Sequence, residues 1–243
     1  MHIPDGLLPA KMAIAGYAVT GLITWYSLRK INQLENPQAQ IPKASLMAAA
    51  FFVASWIHIP FPTGSIHLIL NGLLGTILGY FAFPAILIGL LFQAVMFQHG
   101  GLSTLGVNAA IMGAPALLAY HIFQLRRLLP RRRQHPKKHT QIFPEWEGGI
   151  TVHPKQPITP RGPKFWTAGW GFLSGAMGLG VSVLLVFVLL IFHLPAELNA
   201  EVEQKAIYSL TLAHIPLVLL EGMFTALLVL FLQQVKPELL KTQ

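Results

Sequence analysis

Long apolar runs separated by short polar segments dominate the pattern along the chain. Seven of these runs approach or exceed the roughly 20 residues that a helix needs to cross the hydrocarbon of a bilayer. They lie at 8–28, 44–60, 66–82, 84–98, 104–125, 166–193 and 207–235. Because backbone groups in lipid must be satisfied within their own segment, each run is expected to be a helix. The pattern predicts an all-α fold, a polytopic transmembrane helical bundle of about seven spans. Phe83-Pro84 predicts a tight bend before the fourth span.

Composition supports a membrane protein and excludes a soluble enzyme. Of the 243 residues, 53% are hydrophobic and 11% are charged, which is more apolar surface than a soluble core absorbs. The chain has no cysteine, so disulfides and thiolate metal sites are excluded. Any bound metal must be held by nitrogen or oxygen. We expect one transmembrane domain over 1–243.

The distribution of Lys and Arg predicts the orientation of the bundle. If the spans simply alternate, fifteen of the seventeen cations fall on one side, and only Lys11 and Lys205 fall on the other. Ten of the fifteen lie in a basic loop near 126–164. The positive-inside rule then places the N-terminus outside and the C-terminus in the cytoplasm, in the cell's inner, or plasma, membrane. We interpret the basic loop as an orientation signal; docking to a partner or to anionic lipid is the alternative. The net charge of +8 is confined to junctions between spans, so no nucleic acid partner is expected.

The first two residues offer an unusual set of metal ligands. The amine of Met1, the deprotonated amide nitrogen of His2 and Nδ1 of the His2 ring can chelate one ion through fused five- and six-membered rings. A fourth nitrogen would complete a planar set, which Ni(II) and Cu(II) favour and low-spin Co(II) accepts. Cleavage of a signal peptide is not expected, since no positive segment precedes the first apolar run.

Four histidines are candidates for the fourth nitrogen on the predicted outer side. His67 opens the predicted third span, where Ser65 is placed to cap the helix and Asn71 lies one turn deeper on the same face. His58 ends the second span, His99 follows the fourth, and His214 lies in the outer half of the seventh. Topology alone admits all four.

Two further motifs connect the sequence to a known family. They are Phe97-Gln98-His99-Gly100-Gly101-Leu102-Ser103-Thr104-Leu105-Gly106-Val107-Asn108, and His214-Ile215-Pro216 followed by Glu221-Gly222. With the opening hexapeptide and His67, these motifs resemble the CbiM/NikM family, the substrate-binding membrane (S) subunits of cobalt and nickel energy-coupling-factor (ECF) transporters. The resemblance covers all seven spans. The one departure is the basic loop, which looks longer than usual.

The resemblance implies a metal site and a set of partners. It implies Met1, His2 and His67 as ligands of a transported Co(II) or Ni(II) ion, and so favours His67 over the other histidines. The residues expected to support the ligands are Ser65, Asn71, His99, Asn108, His214 and Glu221. The partners implied are a transmembrane coupling (T) subunit, a pair of ATPase (A) subunits and often a further small membrane subunit.

Two other functions remain as alternatives, a membrane-embedded metalloenzyme and a divalent-cation channel. A His-Glu-x-x-His motif is absent, and four nitrogens would leave no planar position for an activated water. A tight chelate also opposes the rapid release that a channel needs. The chain lacks a GxxxxGK[ST] phosphate-binding loop, so we expect no enzyme activity of its own and ATP hydrolysis on the partner subunits.

Overall fold

Helices account for most of the chain in the computed structural model. It describes residues 2–61, 64–128, 164–192 and 200–240, with the side chains of 58–66, Lys164, Ala200 and Glu203 excepted. The described residues form α1 (Ala10–Ile31), α2 (Ile41–Ala54), β1 (His58–Phe61), β2 (Gly64–His67), α3 (Asn71–Leu78), α4 (Ala82–Phe97), α5 (Leu105–Leu125), α6 (Lys164–Phe192) and α7 (Ala200–Val235). Most of the predicted basic loop, 129–163, lies outside these residues.

Four described regions are long and apolar enough to cross a membrane. They are Asn71–Phe97, Leu105–Leu125, Phe165–Phe192 and Gln204–Val235. The helical membrane fold is therefore confirmed in outline. Seven separate full-length spans are not, because α2 with 14 residues and α3 with 8 are shorter than the roughly 20 residues that a crossing requires.

A two-stranded hairpin replaces the predicted junction of the second and third spans. β1 and β2 pair antiparallel, with His58 opposite His67 and Pro60 opposite Ser65. The predicted bounds 44–60 and 66–82 are therefore wrong, and the fold is not purely helical. Pro60 lacks the backbone N–H that a continuing helix requires. Pro62 and Gly64, which are residue types common in turns, follow within four positions, so the sequence favours a hairpin over a continued helix here. Ser65 lies within β2, so it does not cap α3, which begins at Asn71.

The chain reverses between α3 and α4, at Gly79–Phe81. Gly79 has φ 60° and ψ −127°, a conformation that glycine adopts without steric cost. A straight helix over the 27 residues of Asn71–Phe97 would separate its ends by about 40 Å. Instead the rings of His67 and His99, just beyond those ends, lie 5.5 Å apart. The two helices are thus antiparallel arms, and the bend lies before the predicted Phe83-Pro84.

Close backbone contacts hold α3 in the middle of the bundle. All eight of its residues are buried. A Cβ atom at Gly75 would lie 1.8 Å from the carbonyl oxygen of Ala116 on α5, and one at Gly178 of α6 would lie 2.3 Å from the Cα of Gly72. Small residues permit this approach in lipid, where helices associate by packing rather than by a hydrophobic drive.

The remaining helices flank this centre. α6 and α7 run antiparallel, because Gly171 approaches Ala226 whereas Gly180 approaches Val218. The two spans are 33% and 28% buried, compared with 72% for Asn71–Phe97 and 67% for α5, so α6 and α7 present most of their apolar surface outward. On the other side, the Thr20 hydroxyl of α1 donates to the carbonyl of Gly106 at 2.6 Å and joins α1 to the start of α5.

Candidate metal centre

Three histidine side chains converge at one end of the bundle. The ring centroids of His2 and His67 lie 5.1 Å apart with planes inclined by 22°, and His99 lies 4.2 Å from His2 with planes inclined by 65°. One ring nitrogen from each histidine lies within 4.8 Å of the others. This spacing suits one shared cation, because imidazole nitrogens bind Ni, Co, Cu and Zn at about 2 Å.

Each histidine comes from a different part of the chain. His2 lies on the segment before α1, which we call the N-terminal tip (residues 2–9). His67 ends β2, and His99 follows α4 after Gln98, which has a left-handed φ of 51°. Because α3 and α4 are antiparallel arms, the chain carries His67 and His99 back to the same end. Met1 lies outside the described residues.

Asn108 and Thr104 clamp the N-terminal tip to α5. The Ile3 amide donates to Oδ1 of Asn108 at 2.9 Å, and Nδ2 of Asn108 donates back to the Ile3 carbonyl at 3.0 Å. The Thr104 hydroxyl donates to the same carbonyl at 2.7 Å. Ile3 itself is buried against Val107 and Ile111. Ile3, the residue next to His2, is therefore held at both its N–H and its C=O.

Asp5 fastens the tip to the loop after His99. Its carboxylate accepts from the amides of Leu102 at 3.2 Å and Ser103 at 2.9 Å, and from the Ser103 hydroxyl at 2.5 Å. The hydrogen bond from the Ser103 hydroxyl holds the pKa of Asp5 below its ordinary value of 3.8. A Cβ at Gly101 would lie 2.0 Å from Oδ1 of Asp5, so only glycine permits this contact.

Glu221 of α7 holds the segment that follows His67. Its Oε1 accepts from the amides of Ile69 at 2.5 Å and Leu70 at 2.9 Å. Leu70 has a left-handed φ of 57°, and the two bonds satisfy amides that would otherwise be buried without partners. His67 Nδ1 lies 3.1 Å from the Leu68 carbonyl. When Nδ1 carries the proton in that contact, Nε2 has the lone pair available for a metal.

The ring of His2 is in the form that binds metals. Burial lowers the pKa of His2 well below 6.5, with smaller contributions from His67 and His99 in the same direction. The imidazole is therefore neutral near pH 7, and only a neutral imidazole is a ligand. Both of its ring nitrogens are buried without a hydrogen-bond partner among the described residues.

The other residues predicted to support the site have varied positions. Nδ2 of Asn71 donates to the carbonyls of Met112 and Gly178 and to the Ser182 hydroxyl, so it joins α3 to α5 and α6 rather than facing the cluster. The predicted shared helical face with His67 is wrong because His67 lies in a strand. His214 is buried on α7, with Nδ1 2.7 Å from the Leu210 carbonyl, and is not one of the three clustered histidines. The side chains of His58 and Ser65 lie outside the described residues.

Three residues of this region did not emerge as site candidates from the sequence. Asp5 and Thr104 fasten the tip, and the Gln93 side chain of α4 is buried beside the His2 ring. A polar Gln in an apolar run was the available signal for Gln93, since polar groups in hydrocarbon are commonly functional. For Asp5 and Thr104 the signal was weak, because turn-forming residues occur at many helix starts.

A bundle of membrane-length helices with three imidazoles converging at one end is typical of membrane proteins that handle metal ions. Comparison with known proteins identifies the family. The sequence profile of CbiM, described as the cobalt uptake substrate-specific transmembrane region, matches residues 2–239. This chain therefore belongs to the CbiM family. It is a substrate-specific membrane component of metal uptake, and its relatives are transport proteins rather than enzymes.

Individual relatives agree over nearly the full length. A Haemophilus influenzae protein, whose name describes a predicted metal transport protein, is 31% identical over 99% of this chain and 97% of its own. A Methanococcus voltae protein, named as a predicted cobalt transport protein CbiM, is 32% identical over 98% and 94%. A solved transition metal transporter superposes with a TM-score of 0.70 at 21% identity, covering 97% of this chain and 93% of that one. The likeness to the solved structure establishes the shared fold.

Proposed function

We propose that this chain captures Co(II) or Ni(II) at the outer face of the plasma membrane and presents the ion for ATP-driven uptake. The ligands proposed are the Met1 amine, the His2 amide nitrogen and Nδ1, and His67 Nε2. The observation that carries the proposal is the convergence of His2, His67 and His99, with a nitrogen of each within 4.8 Å of the others. Four nitrogens in a plane suit Ni(II) and low-spin Co(II).

The rings of His2 and His67 share an orientation that the ring of His99 does not. Their planes differ by 22°, whereas the His99 plane is inclined by 65° to His2 and 68° to His67. The ring of His99 is thus turned relative to the other two. We assign it a supporting role beside the metal rather than a place in the plane.

The position of the basic residues supports capture from outside. Arg29 and Lys30 lie in the last turn of α1, and Arg126 follows α5. Both helices begin beside the histidine cluster, so these cations lie at the opposite end of the bundle. The positive-inside rule assigns that basic end to the cytoplasm. The metal centre then faces outward.

We assign ATP hydrolysis to partner subunits, since the given sequence has no GxxxxGK[ST] phosphate-binding loop. We propose an energy-coupling-factor arrangement with a transmembrane coupling subunit, a pair of ATPase subunits and a small additional membrane subunit. Uptake by the assembled system should stop when the ATPases are disabled. Continued uptake would favour a cation channel instead.

Calorimetric titration of the purified chain with Ni(II) and Co(II) tests the ligand set. We expect near-complete loss of binding in His2→Ala, in His67→Ala, and after acetylation of the N-terminal amine, which removes its lone pair from the ligand set. His99→Ala should weaken binding less. His121→Ala is the matched control, because His121 lies by Tyr80 and Tyr120, away from the cluster, and should bind like the wild type.

Acetylation of the amine separates the chelate from an ordinary histidine site. Intact mass must first show that the purified protein begins at Met1. Unchanged affinity in the acetylated chain would remove the amine from the ligand set, and equal losses in His99→Ala and His67→Ala would place His99 among the ligands.

A further inference from the structure

Gln93 is a buried polar residue whose presence in α4 calls for an explanation. Its side chain has 0% exposure, and neither amide atom completes a hydrogen bond among the described residues. A buried amide without partners costs on the order of 1–3 kcal/mol, and native proteins leave few such groups. The flanking residues of α4 are apolar, so an aliphatic side chain would be the ordinary occupant of this position.

Gln93 is attached to the metal centre at two points. Its backbone carbonyl accepts from the His99 amide at 3.1 Å, which ties it to the turn that presents His99. Its side chain lies within hydrogen-bonding reach of the His2 ring, but neither side chain completes a hydrogen bond of good geometry among the described residues. Two sets of unsatisfied polar atoms are thus buried side by side.

The proposed chelate determines what the His2 ring would need. When Nδ1 binds the ion, the second ring nitrogen, Nε2, must carry the proton. Metal-bound histidines almost always donate that second N–H to an acceptor. On another side of the ring a Cβ at Gly100 would lie 3.5 Å from His2 Cδ2, so the loop backbone leaves little space there for a further side chain.

We propose that Gln93 is a positioning residue for the metal centre: its side-chain oxygen accepts a hydrogen bond from Nε2–H of His2 when Nδ1 holds the ion. The proposal rests on the proposed function and adds to it. The bond fixes the tautomer and the plane of the ring, and it strengthens Nδ1 as a donor. It also explains why an amide is buried in an apolar helix.

Three variants test this role by Ni(II) titration. Gln93→Met keeps the length of the side chain and removes the acceptor, and we expect the Kd to rise by about 10- to 100-fold. Gln93→Glu keeps an oxygen acceptor and should retain most of the affinity. Gln233→Met is the matched control, because Gln233 is also buried and has an unsatisfied oxygen. It lies about 18 Å further along α7 than Glu221, away from the metal centre.

A second measurement distinguishes positioning from general packing. Planar low-spin Ni(II) is diamagnetic, so the Nε2–H resonance of metal-bound, ¹⁵N-labelled His2 can be followed by NMR. In the wild type and Gln93→Glu the proton should be deshielded and slow to exchange, and in Gln93→Met it should move upfield and exchange faster.

The outcomes distinguish failure of the proposed function from failure of the role proposed for Gln93. If the wild type binds neither Ni(II) nor Co(II), the proposed function fails. If the wild type binds but Gln93→Met has the same Kd and the same Nε2–H signal, the role of Gln93 fails while the proposed function stands. Equal weakening in Gln93→Met and Gln93→Glu would likewise overturn the role of Gln93, since the acceptor would then be irrelevant.

Discussion

Asn108→Leu should detach the N-terminal tip without altering any proposed ligand. The variant removes both hydrogen bonds between Asn108 and the Ile3 peptide. The Ile3 carbonyl keeps its bond from the Thr104 hydroxyl, but the buried Ile3 N–H is left without a partner. A net hydrogen bond contributes about 0.5–1.5 kcal/mol, and an unsatisfied buried donor costs about 1–3 kcal/mol.

Together these terms predict a loss of about 1.5–4.5 kcal/mol in the free energy of tip docking, which is about 10- to 1,600-fold in its equilibrium constant. Hydrogen exchange of the Ile3 amide reports docking of the tip. The protection factor of this amide should decrease by a factor within this range. Apparent Ni(II) affinity should fall wherever the docked fraction drops well below one, because only the docked tip brings His2 to His67.

Two threonine variants calibrate the measurement. Thr104→Val removes one of the two donors to the Ile3 carbonyl and should reduce protection by about 0.5–1.5 kcal/mol. Thr24→Val removes only a hydroxyl bond to the carbonyl of Thr20 within α1 and should leave Ile3 unaffected. Wild-type protection of Ile3 in Asn108→Leu would refute the clamp, even if metal affinity changed.

Three further perturbations follow from the same geometry. Gly101→Ala places a Cβ 2.0 Å from an Asp5 oxygen and should weaken Ni(II) binding, whereas Gly21→Ala, with nothing within 4 Å, should not; equal binding by titration would contradict the contact. Glu221→Leu strands two amides and should lower stability in detergent by about 2–6 kcal/mol, while Glu221→Gln keeps the oxygen acceptor and should lose much less. Because the pKa of Asp5 is lowered from 3.8, its contribution to docking should be complete above that pH and lost only as the pH falls through the folded pKa. Exchange of the Ser103 amide between pH 7 and pH 3 measures this, with Asp5→Asn expected to show no such transition.

Local patterns in the sequence were sufficient for the membrane class and for two of the three clustered histidines. The length of the apolar runs predicted a bundle of membrane-spanning helices. The chelating groups of His2, together with the resemblance to a known family, predicted that His2 and His67 lie close together. His99, proposed as a supporting residue, lies in the same cluster. Asn108 was expected near the site because it lies one turn into the fifth span after Thr104, and it contacts the tip.

Contacts between distant residues were beyond the reach of the pattern. The bond from Leu70 to Glu221 joins residues 151 positions apart, and nothing local to either residue encodes it. The hairpin at 58–67 was missed because its apolar residues extend the hydrophobic runs on both sides; Pro62-Thr63-Gly64-Ser65 indicated a turn, but nothing indicated that strands flank it. Asn71 was assigned to the wrong contacts because the hairpin was missed: the direction of the Asn71 side chain depends on the residue at which α3 begins.

The reversal at Gly79 has a mechanical consequence for the ligands. His67 and His99 stand at the two feet of one hairpin-shaped body, whereas His2 is fastened through Asn108 to α5. A slip of that body along α5 would therefore displace His67 relative to His2, and it would strain the loop that joins His99 to α5. With Gly75 seated directly on the backbone of Ala116, such a slip meets main chain rather than pliable side chains. The spacing of the three rings therefore depends on the rigid backbone contact between α3 and α5.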